Sequence, residues 1–232
     1  MKIEKLILKD GIIQNKTIGD IPVKINIIDP KGKSNVRTLV KLYSEDGCTI
    51  HNTGNESPTA GDEMHAKYFQ NVEDDDKQYV GAQLFVDHDS ITQIAPLDEK
   101  MYHAGDGKFG PGNTTTFGLE ICVNKFIEKA HSNAKVFLAA YLLAYPDKKL
   151  FGHIDWSGKY CPSWILTHGG LDDFYADVYC LVESQKDLFD VSDWAVKGFN
   201  YVTSTKLSDG TRPKENLTRE EFWTVLERMR KI

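Results

Sequence analysis

Up to about residue 184, short β-rich apolar runs trade places with stretches of helical period. "CTIHNT" (48–53), "GAQLFVD" (81–87), "ITQIAP" (91–96) and "TFGLEICVN" (116–124) predict strands, and Asp87, His88, Asp89 and Ser90 between the second and third predict a hairpin turn. Residues 60–70 and "NAKVFLAAYLLAY" (133–145) predict helices; the latter is apolar almost all round and so reads as buried. "LDDFYADVYCLVES" (171–184) places Phe174, Val178, Leu181 and Val182 on one face and closes the domain. The alternation predicts an α/β fold with a mixed central β-sheet flanked by helices. Residues 1–21 receive no assignment.

The polar stretch "SQKDLFD" then leads into a distinct tail. The organisation expected is a first domain over 1–184, a linker at 185–189 and a small α-helical C-terminal module over 190–232. Within the module, "DVSDWAVKGFNYV" predicts a helix with Trp194, Val196, Phe199 and Val202 as candidate core. "LTREEFWTVLERMRKI" predicts another, because Thr218 and Glu221 stand in capping-box spacing. A unit of this size is marginal by itself, so it is expected to lean on the first domain, a second copy or a ligand.

Composition narrows the classes. The chain has 232 residues, 41% hydrophobic and 27% charged, enough for one buried core and an appendage. Charges interrupt the first twenty residues, and no apolar run reaches membrane-span length, so neither an export signal nor membrane insertion is expected and the chain reads as made in the cytoplasm. A net charge of −6, with no basic stretch interleaved with aromatics, argues against nucleic acid as a partner. Cys48, Cys122, Cys161 and Cys180 show no CxxC spacing and are expected to stay reduced. Glu73, Asp74, Asp75 and Asp76 lack the ligand alternation of a calcium loop and read as a solvated loop.

The concentrated chemistry lies in "HIDWSGKYCP" (153–162). His153 and Cys161 are zinc-ligand types, and Gly158 between them lets a loop fold both toward one point. A catalytic zinc needs a third ligand, and His51, closing a β-rich run before turn residues, is placed to supply it. Against this stands the ordinary reading of hydrogen-bonded structural histidines and a small core cysteine. His65, His88, His131 and His168 read as surface or packing residues. In "FGLEICV", alternation puts Leu119, Ile121 and Val123 on one face and Glu120 and Cys122 on the other; Glu120 could equally be a salt-bridged strand residue.

"TIHNTGN" (49–55), "HAGDG" (103–107), "GNTTTFGLEICVN" (112–124) and "HIDWSGKYCP" (153–162) together resemble the type 2 N-acetylmuramoyl-L-alanine amidases, the zinc family that includes phage endolysins, bacterial wall amidases and peptidoglycan recognition proteins. The likeness covers roughly residues 22–184. It implies the peptidoglycan recognition fold and a hydrolase that uses Zn2+ to cut the amide between N-acetylmuramic acid and the L-alanine of the stem peptide. His51, His153 and Cys161 map onto the metal ligands, Glu120 onto the residue that shuttles the proton, and Lys159 onto the one beside the oxyanion. His103 maps onto the substrate side, Asn52 and Thr53 flank a ligand and are read as fixing its orientation at the substrate-binding edge, and Trp156 lines the groove or covers the loop. Gln83 departs from the histidine or tyrosine of many members. The resemblance points to peptidoglycan as partner and to an endolysin waiting in the host cytoplasm for a holin-type pore. A host autolysin and a non-catalytic muropeptide binder remain as alternatives, and a purely structural zinc would require a fourth ligand.

The tail resembles a single S-layer-homology motif: Asp-Val, Trp-Ala, Asp-Gly-Thr-Arg-Pro, Leu-Thr-Arg-Glu-Glu. This implies attachment to a secondary cell-wall polymer, with Asp209, Arg212 and Arg219 as contacts. Because such modules usually come in threes, a homodimer through the module is expected to supply avidity.

Overall fold

The computed structural model describes residues 2–30, 36–73, 80–190, 192–208 and 216–230. Four short strands, β1 (Leu8–Lys9), β2 (Ile12–Ile13), β3 (Thr17–Ile18) and β4 (Ile21–Ile25), precede β5 (Gly47–Asn52) and helix α1 (Asp62–Glu73). A hairpin of β6 (Leu84–Val86) and β7 (Ile91–Gln93) follows, then α2 (Pro111–Thr115), β8 (Thr116–Ile121) and α3 (Ile127–Ala144). The remainder comprises β9 (Lys149–Gly152), α4 (Ile154–Ser157), α5 (Ser163–Thr167), α6 (Gly170–Asp190), α7 (Val196–Ser204) and α8 (Arg219–Met229).

Seven strands form one mixed sheet in the order β3-β4-β7-β6-β8-β5-β9, flanked by helices as expected. Strands β6, β8, β5 and β9 run parallel to one another, and β7 turns back antiparallel to β6. Every residue of β5 is buried, as befits a parallel strand covered on both faces. Helix α3 starts six residues before the predicted one and buries Ala134, Phe137, Leu138 and Tyr141 against the sheet. Asp62 in the first turn of α1 accepts from the Ser90 and Thr92 hydroxyls at 2.7 and 2.6 Å, pinning that helix to the β6–β7 hairpin.

The unassigned opening segment belongs to this core. Ile3, Leu6, Ile13 and Ile18 are buried, and the Leu6 amide donates to the Ala140 carbonyl of α3 at 3.0 Å. Two-residue strands are too short to show a period, which is why the segment carried no signal. Glu73 is not solvated: its carboxylate is buried and accepts from the Val36 and Arg37 amides. Asp74, Asp75 and Asp76 lie outside the described residues.

The chain divides into two compact units, Ile3–Tyr179 and Cys180–Ile232, so the boundary falls inside α6. The stretch expected as a linker at 185–189 is helical, because "SQKDLFD" contains no glycine or proline to stop α6. In the second unit, Glu221 donates its amide to the Thr218 hydroxyl at 3.1 Å and accepts from the Thr218 amide at 2.9 Å, the predicted capping box. Trp194 is 88% exposed and not core. It sits in a 3-10 turn (Asp193–Ala195), whose tighter winding takes it off the α7 stripe of half-buried Val196, Phe199 and Val202. Leu207 is buried instead, its carbonyl held by Arg228 at 3.0 Å. Among the described residues no helix is long and apolar enough to cross a membrane.

One buried ion pair clamps the segment before β5. The Arg37 guanidinium donates through Nε and Nη2 to the two oxygens of Glu99 at 3.0 and 2.5 Å, and through Nη1 to the Ile28 carbonyl at 2.7 Å. Replacing Glu99 with alanine strands a buried cation and is expected to lower the unfolding free energy by about 3–5 kcal/mol in urea denaturation. A loss under about 1 kcal/mol would show that Arg37 escapes to water.

Candidate metal centre

The site is built at the carboxyl ends of β5, β8 and β9. His51 is the penultimate residue of β5 and pairs in register with Glu120 of β8; Ile50 pairs with Gly152, the last residue of β9. His153 follows at once, its amide donating to the Ile50 carbonyl at 3.2 Å. Helix α4 is then closed by Gly158, whose φ of +72° reverses the chain where a side chain would be strained. The Ile154 amide donates to the Cys161 carbonyl at 2.9 Å, which brings the two ends of the loop together.

These constraints converge on one point. His51 Nδ1 stands 2.9 Å from His153 Nδ1 and 3.9 Å from Cys161 Sγ, and one ligand atom from each residue lies within 4.8 Å of the others. All three residues are buried. Bonds of about 2.0–2.3 Å from a zinc ion place tetrahedral ligand atoms about 3.3–3.7 Å apart, a range that the observed 2.9 and 3.9 Å bracket closely, so the donor set fits such an ion after small side-chain shifts. The tautomers agree. The Thr116 carbonyl can only accept, so His103 Nε2, 3.1 Å away, carries a proton and leaves Nδ1 as acceptor for His51 Nε2–H at 3.1 Å. His51 therefore turns the lone pair of Nδ1 toward His153 and Cys161.

Burial sets the ionisation. It depresses His51 well below its ordinary value, with His103, His153 and Lys159 adding repulsion, and lowers His103 to about 4. Burial, then the Lys159 ammonium, lowers His153. The Cys161 thiol is pushed up to about 11 by burial, and Glu120 to about 7 by burial against the pull of Lys159. Glu120 Oε2 has no hydrogen-bond partner among the described residues. A groove of about 850 Å³ opens over these groups.

His51, His153, Cys161, Glu120, Lys159, His103, Asn52 and Thr53 all line that groove. Hydrogen bonds fix the side chains of two of them. His103, read as a substrate-side residue, has both ring nitrogens engaged with His51 and Thr116, and it presses so closely on β8 that a Cβ on Gly118 would stand 2.9 Å from its ring. Asn52 turns its amide inward: Nδ2 donates to His131 Nε2 at 3.0 Å and Oδ1 accepts the Trp164 amide at 3.0 Å. Trp156 does not line the groove. Its indole packs on Phe151 and donates to the Thr49 hydroxyl at 2.9 Å, covering the loop from behind. Cys122 lies beyond the end of β8 and also stays out of the groove. Gln83 is a buried cross-link, donating to the Glu99 carbonyl at 2.6 Å and accepting the Gly118 amide at 2.7 Å. Arg219 is exposed in α8, whereas Asp209 and Arg212 lie outside the described residues.

Sequence reasoning singled out "HAGDG" and His103 but none of the other residues that the loop to Asn113 supplies to the groove, namely Gly105, Gly107, Lys108 and Asn113. The signal available was its density of glycine and turn residues in "HAGDGKFGPGN".

Comparison with known proteins agrees with this geometry. The family model described as N-acetylmuramoyl-L-alanine amidase matches residues 43–164. N-acetylmuramoyl-L-alanine amidase CwlH of Bacillus subtilis (strain 168) is 38% identical over 124 residues, covering 52% of this chain and 48% of that protein. XlyB, an amidase of the same strain, is 30% identical over 167 residues, covering 68% and 49%. A solved mutant endolysin from Bacillus subtilis superposes with a TM-score of 0.60 at 31% identity, over 68% of this chain and 99% of that one. The chain spans about half the length of the curated relatives it matches.

Beneath the site, His131 Nδ1 donates to the Ile127 carbonyl at 2.8 Å while Nε2 accepts from Asn52, and its ring packs 4.0 Å from Trp164. Burial lowers it to about 4. As pH falls, the unfolded chain takes up this proton first, so the contribution is complete above about pH 6.5 and is lost progressively toward pH 4, by about 3 kcal/mol in all. His131→Gln, which keeps a donor and an acceptor but does not titrate there, is expected to show a shallower fall in unfolding free energy across that range. Parallel slopes for the two proteins would contradict the assignment.

Proposed function

The chain belongs to the N-acetylmuramoyl-L-alanine amidase family, and from that membership we propose that it hydrolyses the amide between N-acetylmuramic acid and the L-alanine of the peptidoglycan stem peptide. The observation that carries this reading is the buried His51–His153–Cys161 triad with Glu120 in register beside His51 at an open groove. His51 and His153 through Nδ1 and Cys161 through Sγ would hold a zinc ion. When bound, that ion supplies Lewis acidity, polarising the scissile carbonyl and acidifying water at neutral pH.

The residues of this chain do the rest. Glu120, its affinity for a proton raised to about 7 by burial, accepts the proton of the attacking water and returns it to the departing alanine nitrogen. Lys159 faces the same groove from the loop before Cys161 and sets its ammonium against the negative charge that develops on the carbonyl oxygen, a contribution of about 3 kcal/mol for a single donor of this kind. His103 holds the His51 ring with its metal-facing nitrogen free of protons. Asn52 ties the strand end to α3 and α5, and Thr53 borders the opening.

We further propose that the protein acts as a phage-type endolysin on a Gram-positive wall, after release from the cytoplasm by a holin. The likeness to a Bacillus subtilis endolysin supports this. The second unit is assigned to wall attachment through a secondary polymer, with avidity from dimerisation. Its resemblance to an S-layer-homology motif and the exposed Trp194, Trp223 and Arg219 support that role.

Digestion of Gram-positive peptidoglycan followed by mass spectrometry is expected to release stem peptides with an L-alanine amino terminus, a release lost on chelation and restored by zinc. Glu120→Gln is expected to retain zinc while the rate drops by about two orders of magnitude or more. Normal cleavage by that variant, or products carrying new reducing sugar ends instead, would overturn the reading.

A further inference from the structure

Three charged side chains line the groove among the described residues: Glu120, Lys159 and Lys108. The first two sit with the metal ligands and are assigned to the scissile amide. Lys108 has no such employment. Its ammonium lies 5.5 Å from the centroid of the exposed Phe109 ring, and no carboxylate among the described residues pairs with it. The neighbouring acid, Asp106, is turned into its own loop, where Oδ2 accepts the Gly112 amide at 2.7 Å.

The loop that presents Lys108 is held in place from several sides. Asn113 Oδ1 accepts the His103 and Ala104 amides at 2.8 Å each, and its Nδ2 donates to the Gly107 carbonyl at 3.0 Å. The ammonium of the buried Lys100 donates to the Lys108 carbonyl at 3.0 Å. The Lys108 backbone is thus fixed before any ligand arrives, which removes part of the ordering cost of binding. Phe69, Val80 and Tyr102 give the same groove an apolar wall. An unpaired cation on a fixed loop beside an apolar wall suits an extended ligand that carries a carboxylate.

We propose that Lys108 recognises a free carboxylate of the stem peptide, so that the protein takes acidic stem peptides in preference to those whose carboxylates are amidated. This rests on the amidase reading and adds a substrate preference to it.

The test compares kcat/KM for N-acetylmuramoyl-L-alanyl-D-glutamate with that for its diamide, using the full zinc-loaded chain. The diacid is expected to be favoured about fivefold at low ionic strength, with the ratio shrinking as salt rises. Lys108→Gln is expected to bring the ratio to about one, and Lys108→Arg to restore it. In parallel, calorimetry follows binding of the cleaved peptide, L-alanyl-D-glutamate, and of its diamide to the same proteins. If neither compound is hydrolysed, the amidase reading fails, while a binding preference lost in Lys108→Gln still supports the role of Lys108. A preference that persists in Lys108→Gln, or the lack of any preference in the unaltered protein, overturns the proposal.

Discussion

The parallel pairing of β5 with β8 on one side and β9 on the other is the constraint from which the site follows. Parallel neighbours end at the same edge of a sheet, so groups at their carboxyl ends meet without long excursions of the chain. Here the register sets His51 beside Glu120 and leaves His153 one residue past the end of β9. A slip of one residue in β5 would turn His51 to the opposite face and bring Asn52 into its place. The burial of all six β5 residues ties that register to the hydrophobic core, so loss of the site would also mean loss of packing.

Keeping His51, His103 and His131 buried at and beneath such a point requires that each be neutral and each be aimed. The carbonyls of Thr116 and Ile127 do the aiming, since each accepts from one ring nitrogen and thereby fixes the lone pair on the other. On one face this orders His103 and then His51 toward His153 and Cys161. On the other it orders His131 and then Asn52 toward the start of α5. The cost is a structure that loses stability in acid, because every neutral buried imidazole is a proton uptake deferred until unfolding.

Strands β5 and β8, which bear the site, and β6 and β7 beside them were legible as apolar runs bounded by turn chemistry, α3 as a long run apolar almost all round, and α6 by its apolar positions on one face. The residues that meet at the groove were legible in the histidines, the cysteine and the glutamate of four ordered motifs. Other features left little trace. The opening strands are two residues long, β9 is a four-residue edge, and the role of His103 depends on a carbonyl thirteen residues away in sequence. Trp156 illustrates the limit from the other side: residue type left groove wall and loop cover both open, and the Thr49 hydroxyl draws the indole behind the loop. Likewise nothing in the local sequence of Lys108 distinguishes it from a solvated lysine; its position is set by Asn113 and Lys100.

The measurement that bears most directly on this account is X-ray absorption at the zinc edge of the purified, zinc-loaded protein, alongside the metal-to-protein ratio. The account predicts one zinc per chain, bound by two nitrogens and one sulfur with an oxygen completing the shell, and loss of the sulfur signal in Cys161→Ser. A shell without sulfur, a closed set of four protein ligands, or no stoichiometric zinc would contradict it.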